Sequence, residues 1–318
     1  MKVGAVSYLN TKPLVYGLLD SQVHSASAPH PSPLPGVPGR GSKADSRLIS
    51  SPPHSLTPSP PSDLDLVFDL PSRLADRLSA GELDVALIPS IEFFQNPSYT
   101  IISDACIGCR GAVYSVKLFS RVPVAEIQTL ALDEGSRTSA ALIQILLKER
   151  HGVSPELLPL PIGAAWEESP ADAILVIGDR AMHPPQSTHL APRDEVISRS
   201  EMSTMDFTEI WDLGDVWCRW AELPFVFAMW VARPGIDTTE LAQQLSTARD
   251  QGVAHLQEIA AVEAPRYNLS QQQCLTYLRD NLHFYLHDRE LRGLRTFYEH
   301  AVRLGLAPAG VPALAGSD

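Results

Sequence analysis

Two stretches of the 318-residue chain concentrate side chains able to hold a small anion. The first is Ser7-Tyr8-Leu9-Asn10-Thr11, which carries three hydroxyls and one amide. The second is Ser136-Arg137-Thr138-Ser139, preceded by Gly135. Hydroxyls and a neutral amide are hydrogen-bonding groups rather than strong acids or bases. Their chemistry is therefore positioning and the stabilisation of developing charge. Arg137 adds a planar fork that can grip a carboxylate through two bonds, and Gly135 allows close backbone approach. The plainer alternative at 136–139 is a serine helix cap with a solvent-facing arginine. Ser90, Ser115 and Asp179 follow or lie in apolar strands and are candidates on position alone, Asp179 with the alternative of capping the next helix.

The elements that must present these residues alternate between strand and helix. Val3 to Val6 is an apolar run without helical period, as a buried strand requires. Pro13 suits the first turn of a following helix, where its missing N–H costs nothing. A strand, a polar loop and a helix N-terminus in succession form the usual cradle for an anion in an α/β protein. The pattern repeats at Asp65–Asp69, a helix from Pro71 to Leu78, and a strand at Asp84–Ile88. Ala112–Phe119 reads as a long strand at a hinge, and Ile127–Leu132 and Ala171–Ile177 as further strands flanking an apolar helix from Ala140 to Leu147. Asp212–Trp220 reads as a helix, Leu223–Val231 as a strand crossing back, and 239–260, 270–281 and 287–303 as closing helices. Two such blocks, with the C-terminal part rejoining the first, predict an α/β, two-lobed fold: 1–117 as the first lobe, 118–222 as the second, and 223–318 returning to the first. Residues 24–62 interrupt the pattern with ten of the 27 prolines, many serines and no apolar period. That composition predicts a disordered insertion, and 183–200 reads as a loop.

Composition removes several classes of function. A net charge of −12 and a pI near 5.3 argue against nucleic acid as a partner. The opening lacks the uninterrupted apolar core of a signal peptide, and the longest apolar run, Leu223 to Ala232, is too short for a membrane span. A cytoplasmic protein without membrane partner is expected. Cys106-Ile-Gly-Cys109 has redox or zinc spacing, but no second close pair completes a zinc site, so the four cysteines read as structural thiols. His283 and His287 are four apart, yet Phe284 stands where a metalloprotease motif has Glu. No phosphate-binding glycine loop or nucleophile elbow occurs, and neither a metal nor a nucleotide cofactor is expected. The aromatic block Trp211, Trp217, Trp220, Phe225, Phe227 and Trp230 reads mainly as core, with one or two rings free to line a cleft.

Val6-Ser7-Tyr8-Leu9-Asn10-Thr11-Lys12-Pro13-Leu14 resembles the opening of the chorismate dehydratase family of the futalosine route to menaquinone. Pro71-Ser72-Arg73-Leu74-Ala75, the run Gly81 to Pro89 and Asp133 to Ser139 resemble the same family, as does Leu223-Pro224-Phe225-Val226-Phe227-Ala228. Ala221-Glu222 replaces the family's Thr-Gly before that last stretch. The resemblance implies a two-lobed periplasmic-binding-protein-like (type II) fold and a carbon–oxygen lyase without cofactor. Its substrate would be chorismate and its product 3-(1-carboxyvinyloxy)benzoate plus water. It implies Asn10 as the catalytic residue, orienting substrate and stabilising the leaving hydroxyl, with Ser7, Tyr8 and Thr11 supporting that loop and Ser136 to Ser139 holding carboxylate. The base is open, a carboxylate of the substrate being one candidate. Two other readings stand beside it: a binding protein for a small carboxylate, and the sister 1,4-dihydroxy-6-naphthoate synthase. The latter opens with a Ser-Pro-x-Pro-Asn type of motif, which this chain lacks.

Overall fold

The computed structural model describes residues 1–25, 64–183 and 207–310, with side chains of 19–25 left aside. The insertion expected at 24–62 and most of the loop expected at 183–200 lie outside the described residues. In chain order the strands are β1 (Lys2–Val6), β2 (Asp65–Asp69), β3 (Val85–Pro89), β4 (Thr100–Cys109), β5 (Val116–Ser120), β6 (Thr129–Asp133), β7 (Glu156–Leu160), β8 (Ala173–Ile177), β9 (Glu209–Asp212), β10 (Phe225–Ala232) and β11 (His283–Tyr285). The helices are α1 (Lys12–Ser25), α2 (Pro71–Ser79), α3 (Ser90–Gln95), α4 (Arg137–His151), α5 (Leu213–Ala221), α6 (Thr239–Ala254), α7 (Leu256–Glu263), α8 (Gln271–Thr276) and α9 (Asp288–Arg303).

The strands form two mixed sheets, ordered β11-β4-β10-β3-β1-β2 and β7-β6-β8-β5-β9. Both repeat one plan. A parallel trio, β2-β1-β3 in one and β7-β6-β8 in the other, is flanked by an antiparallel strand that is the first after a crossing between sheets: β10 in the first sheet, β5 in the second. The central strands β3, β8 and β10 are buried along their whole length, which is why they read as unbroken apolar runs. β9 and β7 are edge strands with polar or exposed positions.

The structure shortens the strand expected at Ala112–Phe119 to Val116–Ser120. The cause is Asp212. Its carboxylate accepts the Val113 N–H at 2.9 Å and the Tyr114 N–H at 2.6 Å, and it caps α5 by accepting from Asp215 N–H at 3.1 Å. Tyr114 takes φ 67°, which takes it out of any strand. One carboxylate thus ties the outgoing crossing to the start of the return.

The aromatic core lies where that return enters the first sheet. Trp217 packs edge-on against Phe225 and Phe297, and its indole N–H donates to Pro224 O at 3.2 Å. Two helices sit closer than any side chain would allow. A Cβ on Gly293 of α9 would lie 2.1 Å from Pro224 O, and one on Gly252 of α6 would lie 2.0 Å from Pro13 O at the start of α1.

Candidate active site

The carboxyl ends of β1, β3, β6 and β8 all meet one cleft between the sheets, the position α/β sheets reserve for ligands. Tyr8 and Asn10 enter it from the loop after β1, Ser115 from the crossing, and Ser136, Arg137, Thr138 and Ser139 from the start of α4. Apolar walls come from Val6, Ile107, Ile177 and Phe227. The space between these walls amounts to about 530 Å³, its open mouth included. Phe227 is the member of the aromatic block that reaches the cleft; Trp217, Phe225 and Trp230 are core.

Tyr8 is the contact that joins the two sheets at the floor. Its ring lies against Gly178, where a Cβ would approach ring carbons to 3.3 Å and φ is +67°. Its hydroxyl lies against Gly135, 3.3 Å from where a Cβ would stand. Two glycines of the second sheet therefore form the slot for a tyrosine of the first. Burial, followed by the negative charges of Asp133 and Asp179, holds the Tyr8 hydroxyl well above the ordinary tyrosine range, so it stays a neutral group. Asp133 shapes the turn around that slot: it accepts the Gly135 N–H at 3.0 Å and pairs with Arg180 at 2.5 Å.

Ser136, Thr138 and Ser139 are buried at the α4 N-terminus, and Ser136 makes no side-chain cap. The first-turn N–H groups have no intrahelical acceptor by construction and carry the positive end of the helix dipole. That is an anion-binding arrangement. Thr138 also accepts the Ile91 N–H at 3.3 Å, linking α4 to α3 across the cleft. Arg137 lines the same wall, but its guanidinium is bonded to Asp76 of α2 at 2.8 and 2.9 Å and paired with Glu92 of α3 at 3.3 Å. Burial pushes the Glu92 carboxyl up despite that arginine.

The remaining sequence candidates do not line the cleft. Thr11 is fully buried and its hydroxyl donates to the Asn10 side-chain oxygen at 3.3 Å. Ser90 is fully buried, with its hydroxyl given to Val226 O at 2.7 Å. Ser7 is exposed, its backbone N–H bonded to Asp69 O at 3.0 Å. Asp179 follows Gly178 into the interior, and one of its carboxylate oxygens is buried without a hydrogen-bond partner among the described residues. The sequence reading missed Tyr277, which stands behind Ser115 and donates to its hydroxyl at 3.0 Å. It falls in a helical stretch whose apolar pattern marks it only as a core position. No group of His, Cys, Asp or Glu suited to a metal ion, and no helix long and apolar enough to cross a membrane, occurs among the described residues.

Burial pushes the Asp179 carboxyl up to about 6, against the opposing pull of the Leu9 N–H, His183 and Lys12. A carboxyl raised on folding costs stability once it ionises. The penalty is absent below the unfolded value near 4 and complete above the folded one. Asp179→Asn keeps the shape and removes the charge, so it is expected to stabilise the fold by about 2–3 kcal/mol at pH 8. The gain shrinks between pH 6 and 4 and vanishes below. Thermal melts of both proteins at pH 8 and pH 4 read this directly; an equal gap at both values would show that the carboxylate charge is not the cause.

Two mixed sheets of one strand order, joined by two crossings with a polar cleft between them, define a periplasmic-binding-protein-like fold. Solved structures agree. A protein from Archaeoglobus fulgidus matches at a TM-score of 0.59 and 14% identity, covering 96% of this chain and 97% of its own. The alkanesulfonate-binding protein of Xanthomonas axonopodis pv. citri, bound to MOPS, matches at 0.57 and 10% identity, covering 97% and 94%. The chain belongs to the menaquinone biosynthesis family, whose model matches residues 1–303. It is 31% identical over 245 residues to the chorismate dehydratase of Thermus thermophilus, covering 76% of this chain and 88% of that relative.

Proposed function

We propose that the protein is a cytoplasmic chorismate dehydratase, a carbon–oxygen lyase that removes water from chorismate to give 3-(1-carboxyvinyloxy)benzoate. The observation that carries this reading is that Asn10 and the α4 N-terminus line one cleft, in a chain with a dehydratase relative. Chorismate carries two carboxylates, and the buried first turn of α4 supplies dipole and N–H groups for one of them. The apolar walls take the ring. Asn10 donates to the ring hydroxyl as it departs and orients it, while Tyr8, Ser115 and Ser136 complete the polar lining. Ser7, Thr11, Ser90 and Asp179 support the loops that present these groups. Arg137 binds carboxylate only by exchanging Asp76 or Glu92 for substrate.

The chemistry asks little else of the protein. The ring loses its hydroxyl and the proton on the neighbouring ether-bearing carbon, and it becomes aromatic. Aromatisation supplies the driving force, so binding geometry and water exclusion are the remaining tasks. Asn10 cannot take the proton; a carboxylate of the bound substrate is the base we favour.

The test is incubation of the purified protein with chorismate, without added metal or nucleotide, followed by mass spectrometry. The expected product is lighter by one water and absorbs as an aromatic. Chorismate bound but unchanged would replace the lyase with a carboxylate-binding protein, and absence of binding would remove chorismate as the ligand.

A further inference from the structure

We propose that Ser115 is the hydrogen-bond donor to the substrate carboxylate that α4 does not take, and that Tyr277 is the positioning residue that turns its hydroxyl into the cleft. The inference rests on the dehydratase reading and deepens it, since that reading leaves one of the two carboxylates without a named partner.

Ser115 belongs to the crossing that leaves the first sheet, and this segment is held from three directions. The Asp212 carboxylate takes the N–H groups of Val113 and Tyr114. The Ser115 carbonyl accepts the Gly178 N–H at 2.8 Å. The third hold is a five-residue π-helical turn, Tyr277–Asn281, that directly follows α8. From its first residue the Tyr277 hydroxyl donates to Ser115 Oγ at 3.0 Å, and from its last the Asn281 side-chain amide donates to Ala112 O at 2.9 Å. The Tyr277 ring also packs near that of Tyr114, with centroids 6.2 Å apart. Turns of this kind are uncommon and appear frequently at functional sites. The backbone beside Ser115 is therefore fixed, which leaves the rotation of its hydroxyl as the freedom still to be set.

Tyr277 sets it. Ser115 is 2% exposed and Tyr277 1%, but only Ser115 lines the cleft, so the tyrosine reaches it from behind. A serine hydroxyl has one hydrogen to give and two lone pairs with which to accept. Because Tyr277 is the donor, it occupies a lone pair and leaves the serine hydrogen for another acceptor, and none stands within reach among the described residues. The cleft is the place where one can stand. A hydroxyl so aimed suits an anionic oxygen, since donation to a charged acceptor gives the stronger bond. Burial holds the Tyr277 hydroxyl well above the ordinary tyrosine range, so it remains a neutral donor throughout. If Tyr277 merely filled space, phenylalanine would serve as well.

The experiment is a kinetic double-mutant cycle on chorismate with Ser115→Ala, Tyr277→Phe and the double variant. A carboxylate contact is made in ground and transition states alike, so its loss raises KM and leaves kcat nearly unchanged. Ser115→Ala is expected to raise KM about tenfold to a hundredfold. Tyr277→Phe is expected to raise it about threefold to tenfold, because the released hydroxyl spreads over its three staggered positions. In the Ser115→Ala background the tyrosine change is expected to add nothing, since the group it positions is gone. Effects on KM that multiply would overturn the proposal, as would losses confined to kcat. Asn281→Ala is the second variant. It cuts the tie to the Ala112 carbonyl and leaves the Tyr277 hydroxyl in place, so KM is expected to move less than about twofold. A rise equal to that of Tyr277→Phe would place the effect in the backbone of the crossing and sink the positioning role. A wild-type protein that binds chorismate without dehydrating it removes the lyase alone; the same ratios, read as Kd by calorimetry, then decide the role of Ser115. A wild-type protein that does not bind chorismate removes the reading and the proposal together.

Discussion

Asn10→Ala is expected to lower kcat for chorismate dehydration by about 10²–10³, the usual loss when one preorganised donor to a developing oxyanion is removed. The residue is half-buried at the mouth of a loop held elsewhere: Ser7 is tied to Asp69, and Thr11 N–H to Tyr8 O at 3.2 Å. Truncation therefore removes the amide without unravelling the loop, and the thermal transition is expected to move little. The loss is expected in kcat rather than KM, since the proposed reading assigns carboxylate binding to the α4 side of the cleft. Asn10→Asp separates donor from shape. It retains the size but sets a negative charge beside a dianionic substrate, so KM is expected to rise as well. Initial rates from the ultraviolet absorbance of the aromatic product measure both. An alanine variant that keeps more than about a third of wild-type kcat would move the leaving-group role elsewhere, because such a loss is far below that of a transition-state contact.

Gly252→Ala carries the largest expected cost in stability. Glycine to alanine inside a helix ordinarily stabilises by about 1 kcal/mol. Here the added carbon would stand 2.0 Å from Pro13 O and 2.6 Å from the Pro13 Cα and carbonyl carbon. These are backbone atoms, and neither helix can give locally. The expected outcome is a loss of about 2–4 kcal/mol, seen as a thermal midpoint lower by on the order of 5–10 °C. Gly17→Ala is the control. Its Cβ would meet chiefly the far end of the Gln251 side chain, at 1.9 Å from Oε1, which can swing away. Pro13 follows Asn10 by three residues, so displacement of α1 also lowers kcat in the molecules that remain folded. A Gly252→Ala protein as stable as its parent would show that α1 and α6 are free to separate.

These positions also show what was legible beforehand. The buried strands β1, β3, β8 and β10 announce themselves as apolar runs, and the polar residues at their ends mark the cleft. The start of α4 is legible for the same reason, since Ser136 to Ser139 follow a strand and precede an apolar helix. β4 was harder, because Thr100 to Ser103 mixes exposed and buried positions before the apolar Ala105 to Cys109. β9 is short and polar, and β11 has three residues. The partners of Arg137 were out of reach: Asp76 lies 61 residues away, and an arginine beside hydroxyls looks the same whether it awaits a ligand or is already paired. The sequence marks Asp212 as the start of a helix, which it caps; its grip on Val113 and Tyr114, which cuts the preceding strand short, depends on a contact 99 residues away.

The pairing of Arg137 with Asp76 and Glu92 has a consequence for the timing of turnover. These ion pairs bridge the two halves of the molecule at the rim, with Arg137 and Asp76 side chains 36% and 62% exposed. Pairs so wetted contribute about 0–1 kcal/mol each and weaken with salt. The rim pairs are therefore weak ties between the parts of the chain that carry the two sheets, and rising salt loosens them. Under the proposed dehydratase reading, product release is expected to quicken as ionic strength rises, because the ties at the rim are the part of the cleft that salt weakens.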